Sequence, residues 1–459
     1  MIMNRKLFLL VIGMLLVTSC TKEPDDIAPE DKTPAIVRLT DAEAERLPLL
    51  SDNPRRSPET VLAFAQNYAK TVLPESKAIG NLSISDSVLL SDIPTKGSSL
   101  KAAPIYVVSR GEGQGFVLVA GDNRIAPVWG IIEKGDYAEG INPGFDIVME
   151  QLKNDIMYEV ERKECLRDSV YDALRIKLGL DKTPDTKGDD DLIPDPPGPP
   201  DVFYPEDFDR IEIVERNPHY ENEYQYGPLL KTKWNQRSPF NDFRTDNAPA
   251  GCMAISCGQI MAYHKHPSYL PSTGHYYTWD EYRPYGYQFS SGASANVSVL
   301  MQDLGLKPYL HLVYDIEGTG ADCSHTPRTL EAFGYTINGA HRTANFNDIY
   351  NEIKEYRPVH ICGDDNGFWV KKGHTWVTDG VLHQNCFVTY YMQFYKNDYL
   401  ICEVERGTGQ RSSSSFVHHN FGWGGQSDGW MGMKPTTNHV SNANGYNNNM
   451  KIIIGIRPR

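Results

Sequence analysis

The chain has 459 residues, 40% hydrophobic and 23% charged, with a formal net charge of −14. Such a length accommodates two or three folded units, the composition is that of globular rather than disordered protein, and an acidic balance without a basic run speaks against nucleic-acid binding. The cysteines at 20, 165, 252, 257, 323, 362, 386 and 402 are irregularly spaced and lack a paired CxxC, so no structural zinc site is expected, and mostly free buried thiols are expected beside one special thiol.

Arg5 and Lys6 precede an apolar run from Leu7 to Val17. This is a secretory-type pattern, too short to span a bilayer as a helix. It ends Val17-Thr18-Ser19-Cys20, which resembles a bacterial lipobox. The resemblance implies lipidation of Cys20 at the end of a signal peptide over residues 1–20. The expected location is then the cell envelope or outer membrane, with membrane contact through the lipidated N-terminus or release after processing. Residues 21–55, acidic and Pro-containing at their start, read as a flexible tether.

Residues 58–72 place Val61, Leu62, Phe64, Ala65, Tyr68 and Val72 at helical spacing. Residues 104–108 and 115–120 read as short strands, Gly121-Asp122-Asn123 as a turn, and Phe145 to Leu166 as a second helix. Together they make a small α+β domain over residues 56–180. Residues 181–206 carry KGDDD and PDPPGPP; such stretches stay extended and open to proteases. A second unit over residues 207–459 begins with loops and a helix and ends rich in strands, over 374–382, 386–395, 398–404 and 415–421. Lys396-Asn397-Asp398 reads as a hairpin turn, and no internal repeat of fixed period is seen.

The chemistry concentrates in this second unit. In AGCMAISCGQIMAYHKHP, Pro249 and Gly251 mark an approach loop and a helix starts at Cys252. Unpaired N–H groups and the helix dipole favour a thiolate there. Cys257 reads as a small apolar filler of the core. His264 and His266 fall at the exposed helix end. His374, in GHTWVTDG, lies on a strand beside Gly373, which removes bulk next to the ring and lets a substrate backbone approach. Asn420, in HHNFGWGG, can accept from an imidazole N–H and fix its orientation, with Trp423 shielding that bond. The Cys252 backbone N–H and the Gln236 carboxamide are candidate oxyanion donors.

The blocks WNQRSPFN, AGCMAISCGQIMAYHKHP, GHTWVTDG and NFGWGGQSDGW, in this order, resemble the streptopain family of bacterial cysteine peptidases over about residues 230–457. GFVLVAGDNRIAPVWGII and NPGFDIVMEQL resemble that family's inhibitory propeptide. The resemblance implies an α+β fold: a papain-like catalytic domain with a helical and an antiparallel β part, preceded by the small propeptide domain. It implies that Cys252, His374, Asn420 and Gln236 act as described, without cofactor or metal, on protein or peptide substrates, in a zymogen that its own propeptide inhibits. Phe421 stands where the family carries Trp, and the segment between Gly380 and Phe416 is longer than usual, with Cys386 and Cys402 in an extra hairpin. Alternative readings are another Cys–His acyl transferase or amidase on this fold, or an inactive surface-binding homologue.

Overall fold

A computed structural model describes residues 39–74, 81–90, 93–95, 98–178, 180, 208–282, 291–364, 373–433 and 450–459. The signal segment with Cys20 and the Pro-rich stretch 181–206 lie outside the described residues.

The first helix, α1 (Asp41–Arg46), is nucleated by a capping box in which Thr40 and Glu43 satisfy each other's exposed N–H groups. The turn of 3₁₀ helix that follows, Leu47–Leu50, buries Leu47, Leu49 and Leu50 completely. These residues fall within the stretch read as a tether, and their burial corrects that reading: the acidic composition stops before the apolar Leu-Pro-Leu-Leu, which docks in a core. Helix α2 (Pro58–Val72) starts on the Ser57 cap and Pro58 and turns Val61, Phe64, Ala65, Tyr68, Ala69 and Val72 inward, the face its apolar spacing predicts. Helix α3 (Pro143–Lys177) is longer than expected and starts on Asn142, whose Oδ1 accepts from Gly144 N and Phe145 N.

Eleven strands form one antiparallel sheet among the described residues. In chain order they are β1 (Ser83–Val88), β2 (Ile105–Ser109), β3 (Phe116–Ala120), β4 (Val128–Ile132), β5 (Arg210–Tyr226), β6 (Gly339–Thr343), β7 (Val359–Asp364), β8 (Gly373–Lys396), β9 (Tyr399–Asn420), β10 (Gly429–Gly432) and β11 (Lys451–Ile454). The spatial order is β1-β2-β3-β4-β10-β9-β8-β7-β11-β6, with β5 alongside β8. The sheet therefore runs without a break from the N-terminal segment into the C-terminal one, through the pairing of Gly429 with Ile132 and Met431 with Gly130. The turn between β8 and β9 falls at Asn397 and Asp398, both at positive φ (48° and 65°), the backbone a two-residue hairpin needs.

This hairpin and β5 serve the N-terminal segment. Ile211, Ile213, Tyr220, Leu382, Val388, Tyr390, Met392 and Phe394 share one buried cluster with Leu47, Phe64, Tyr68, Val119 and Leu174. Within it, Glu215 of β5 is sandwiched between Arg56 and Arg411, with Arg56 Nε 2.7 Å from Oε2 and Arg411 Nε on Oε1. Arg411 Nη2 also donates to the carbonyl of Asn123 at 2.6 Å. Breaking such a buried group from one side typically costs about 3–5 kcal/mol.

The helical half packs separately around α4 (Cys252–His264), with α5 (Ser291–Gly305) and α6 (His325–Ala332). Helix α7 (Phe346–Lys354) presses Phe346, Ile349 and Ile353 onto the sheet instead. Cys323 and Cys362 form a disulfide, an exception to the mostly free thiols expected; a pair 39 residues apart in sequence is visible only once the turn before α6 has been brought to β7. Cys165, Cys252, Cys257, Cys386 and Cys402 are free, Cys165 exposed and Cys257 and Cys386 buried.

Candidate active site

Gly251 precedes α4 with φ 94°, a backbone state that favours glycine, and a Cβ there would come within 3.0 Å of Thr319. This turn sets Cys252 as the first residue of a helix otherwise buried from Met253 to Met261. Lys265, at φ 52°, ends the helix, and His264 and His266 are half-buried rather than exposed. Burial holds His264 down at about 4, against a hydrogen bond to the Ile260 backbone, and His266 Nε2 contacts the carbonyl of Gly334. Cys257 points into the core, where burial pushes its thiol up to about 12.

His374 opens β8 opposite Gly363 and is buried. A Cβ on neighbouring Gly373 would meet only the Gly363 carbonyl, at 3.5 Å. Cys252 and His374 face each other closely enough that each shifts the ionisation of the other. Burial alone raises the thiol, but the His374 charge and hydrogen bonds from His374 and Thr375 outweigh it and leave the thiol at about 7. The imidazole shifts upward in return: burial opposes its charge, and the sulfur overrides it. This reciprocal pair favours thiolate and imidazolium together. The other side of the ring is fixed by the backbone, with Nε2 3.0 Å from the Phe421 carbonyl. The Trp423 indole N–H lies 3.3 Å from the same nitrogen, and Trp376 stacks on the ring at 6.2 Å.

The bond expected between Asn420 and His374 is not formed. Asn420 Oδ1 accepts from Gln259 Nε2 at 2.9 Å and from Gly422 N at 3.2 Å, and its Nδ2 donates to the Thr232 carbonyl at 2.8 Å. The reason is strand parity. Asn420 pairs with Val377, three residues from His374 and hence on the opposite face of the strand. Phe421 instead packs against Trp376 with ring centroids 5.6 Å apart, and its carbonyl takes the imidazole. Gln236 is half-buried, and its carbonyl accepts from Ala250 N at 2.8 Å, which ties its segment to the loop before Cys252. Trp234, two residues earlier, is buried in the helical core and its carbonyl accepts from Gly424 N at 2.8 Å, linking the loop that carries Gln236 to the Trp423 loop.

Residues far apart in sequence complete the surroundings. Thr375, beside His374 on β8, helps lower the Cys252 thiol. Ser256, one helical turn after Cys252, lies 3.1 Å from Thr375 Oγ1 and 3.0 Å from His360 Nε2. From the N-terminal segment, Gly144 lies against the imidazole: a Cβ there would stand 2.5 Å from His374 Cδ2 and 2.7 Å from the Phe421 ring. Glu133 of the same segment accepts from His418 Nε2 at 3.2 Å and lies 3.7 Å from Lys233. His418 also bonds Asp379 at 2.6 Å, and Lys233 bonds Asp428 at 3.2 Å. Burial would strip His418 of its proton, but Asp379 and Glu133 raise it to about 10, so it is a buried cation. Gly144, Ser256, Thr375, Asp379, His418 and Asp428 fell inside segments the sequence had marked, yet nothing in the local pattern of Ser256, His360, Thr375 or Glu133 separates them from ordinary core and surface positions.

Comparison with known proteins follows the same division. Residues 234–431 match the profile of the Peptidase C10 family, and residues 57–156 match that of the Spi protease inhibitor. The thiol protease/hemagglutinin PrtT of Porphyromonas gingivalis is 26% identical over 448 residues, which is 90% of this chain; the chain spans 43% of that protein. Streptopain of Streptococcus pyogenes is 24% identical over 438 residues, covering 86% of this chain and 91% of streptopain. Among solved structures, a fragment of Prevotella intermedia prointerpain A aligns over 82% of this chain and all of its own, with 16% identity and a TM-score of 0.44.

Proposed function

The chain is a streptopain-like cysteine peptidase made as a zymogen with an inhibitor-type propeptide domain, and on that premise we propose that Cys252 is its nucleophile and His374 its general base and acid. The observation that carries this reading is the mutual shift of Cys252, at the start of α4, and the buried His374: the thiol is held at about 7 and the imidazole is raised.

The thiolate attacks the scissile carbonyl and forms a C–S bond, with the oxyanion received by the Cys252 N–H at the start of α4 and by the Gln236 carboxamide. His374 gives its proton to the leaving amine as the C–N bond breaks. It then takes a proton from the water that hydrolyses the thioester. The Phe421 carbonyl, rather than Asn420, accepts from Nε2–H and orients the ring; Asn420 holds the Gly422 turn against α4, and Trp423 covers the ring from solvent. Loss of the Gln236 donor is expected to lower turnover by roughly 10²–10³-fold.

Residues 56–180 are read as the inhibitory domain, residues 181–206 as the region of maturation cuts and 207–459 as the peptidase. Gly144, seated on His374, supports inhibition by direct occupation of the site. Protein or peptide substrates enter once that segment leaves. Export, with a lipid anchor on Cys20 at the cell envelope, accounts for the first twenty residues, and no helix among the described residues is long and apolar enough to cross a membrane.

The test is covalent labelling by a thiol-directed peptide inhibitor, with casein digestion under reducing conditions beside it. Cys252→Ala should abolish both. Labelling that survives the substitution would remove the assignment.

A further inference from the structure

Asp428 is fully buried, and acyl transfer gives it no proton to move. A carboxylate in such a place is strongly unfavourable unless its oxygens are satisfied, and both are. Oδ1 accepts from the Phe421 N–H at 2.9 Å, and Oδ2 takes the Lys233 ammonium at 3.2 Å. Burial raises this carboxyl, while Lys233, His418 and the Phe421 N–H pull it back. The charged groups around it are Lys233 from the loop before α4 and His418 from the end of β9. Glu133 of the N-terminal segment stands behind them, 3.7 Å from Lys233 and 3.2 Å from His418 Nε2.

Phe421 is also the residue whose carbonyl holds the imidazole. A carbonyl can only accept, so its 3.0 Å contact with His374 Nε2 puts a ring proton on Nε2 and leaves the Nδ1 lone pair of the neutral ring to take up a proton. The setting of the ring therefore depends on where one backbone carbonyl points. The backbone there has little stiffness of its own, because Phe421 is followed by Gly422 at φ 72°, a state that glycine enters and leaves freely. Two side chains clamp the turn. Asn420 Oδ1 accepts from the Gly422 N–H at 3.2 Å, at the opposite end of the peptide unit that carries the Phe421 carbonyl. Asp428 holds the Phe421 N–H. With residue 421 tied on both sides, its carbonyl is held toward His374.

We propose that Asp428 is a positioning residue of this peptidase: it orients His374 at one remove, through the N–H and carbonyl of Phe421, and Lys233 holds its second oxygen so that the first stays on the backbone. The proposal rests on Cys252 and His374 being the reacting pair.

The experiment follows alkylation of Cys252 by iodoacetamide against pH in the full-length chain, read on the Cys252 peptide by mass spectrometry so that the other free thiols do not interfere. Orientation and field predict opposite signs. Removing a buried negative charge would, by its field alone, ease thiolate formation and lower the midpoint. Asp428→Ala frees the Phe421 N–H and lets the imidazole turn away from the sulfur, so it should instead raise the midpoint by about one pH unit, a tenfold step in the ionisation equilibrium. Asp428→Asn has the same charge as Asp428→Ala but keeps an oxygen for the Phe421 N–H, and its midpoint should stay at or below that of wild type. If stranding Lys233 unfolds either chain, the same two substitutions are compared on a Lys233→Met background, where that cation is gone. Coincident midpoints for Asp428→Ala and Asp428→Asn overturn the role of Asp428. So does an Asp428→Ala chain that loses thermal stability without any rise in the Cys252 midpoint. Failure of the underlying reading looks different: Cys252→Ala would still hydrolyse peptide, whatever stands at position 428.

Discussion

Gly144 touches His374 so closely that a single methyl group on its Cα would fall 2.5 Å from the imidazole. The contact is backbone against ring, which makes glycine at this point of the propeptide a requirement of the inhibited state rather than of the helix it starts.

Gly144→Ala should therefore weaken latency without harming the fold, since alanine is the better helix former. Overpacking of this kind costs about 1–3 kcal/mol, so labelling of Cys252 by a peptide inhibitor in the uncut chain should accelerate roughly 5- to 150-fold. An unchanged rate in a chain of unchanged thermal stability would mean that Gly144 does not gate the site.

The alkylation midpoint of Cys252 itself is expected near 7, below the usual thiol value of about 8.5. The sign follows from the charge pair: reactivity appears as pH rises through about 7, because His374 stabilises the thiolate. His374→Ala removes that help and leaves the burial, so the midpoint should move above the ordinary thiol value. A His374→Ala curve that stays near 7 would place the source of activation elsewhere.

Glu133 makes docking of the propeptide acid-sensitive. Burial opposes its ionisation, but His418 and Lys233 override it and hold the carboxyl at about 2. A depressed carboxylate stabilises fully above its ordinary value of 4.5 and loses that contribution as pH falls towards about 2. His418, held at about 10, stays charged throughout this window. Glu133→Gln at neutral pH should mimic acid and speed labelling of Cys252 several-fold, and the labelling rate of this variant should lose its dependence on pH between 4.5 and 3 after correction for thiol ionisation. Equal acid dependence in variant and wild type would exclude the Glu133 contact as its cause.

Cutting the linker is not expected to separate the two halves. The Cys252→Ala chain, nicked within residues 181–206 by an added protease, should elute as one particle in size-exclusion chromatography, because β5 and the long hairpin share a core with α1 and α2. Glu215→Ala, which strands Arg56 and Arg411 without their counter-charge, should lower the thermal midpoint of the uncut chain and release the nicked one. Separation of nicked protein that retains Glu215 would show the shared core too weak to hold.

Much of this site is local and therefore legible in sequence. The start of a helix at Cys252 follows from Gly251 and the apolar stripe behind it, helix α2 begins and ends where its apolar spacing predicts, and the hairpin turns at Asn397 and Asp398 as its residue types require. What could not be read depends on register and on packing between distant segments. Asn420 has the right chemistry to hold an imidazole, but its pairing with Val377 turns it to the other face, and a backbone carbonyl with no sequence signature takes its place. Thr375, Ser256 and His360 are ordinary residues until three elements bring them together. Leu47, Leu49 and Leu50 belong to a core whose other wall lies more than 150 residues away, in β5 and the hairpin.

The Cys323–Cys362 bridge sets a condition on how the enzyme is handled and where it works. Cys362 lies directly across from Thr375, so the bridge anchors the strand next to His374 to the loop ahead of α6. Surroundings that oxidise Cys323 and Cys362 also threaten the free sulfur at 252, while a reductant that protects that sulfur attacks the anchor. The working redox window is bounded on both sides, and the plugged zymogen, with Gly144 over the imidazole, is the form best suited to cross oxidising surroundings with its nucleophile intact.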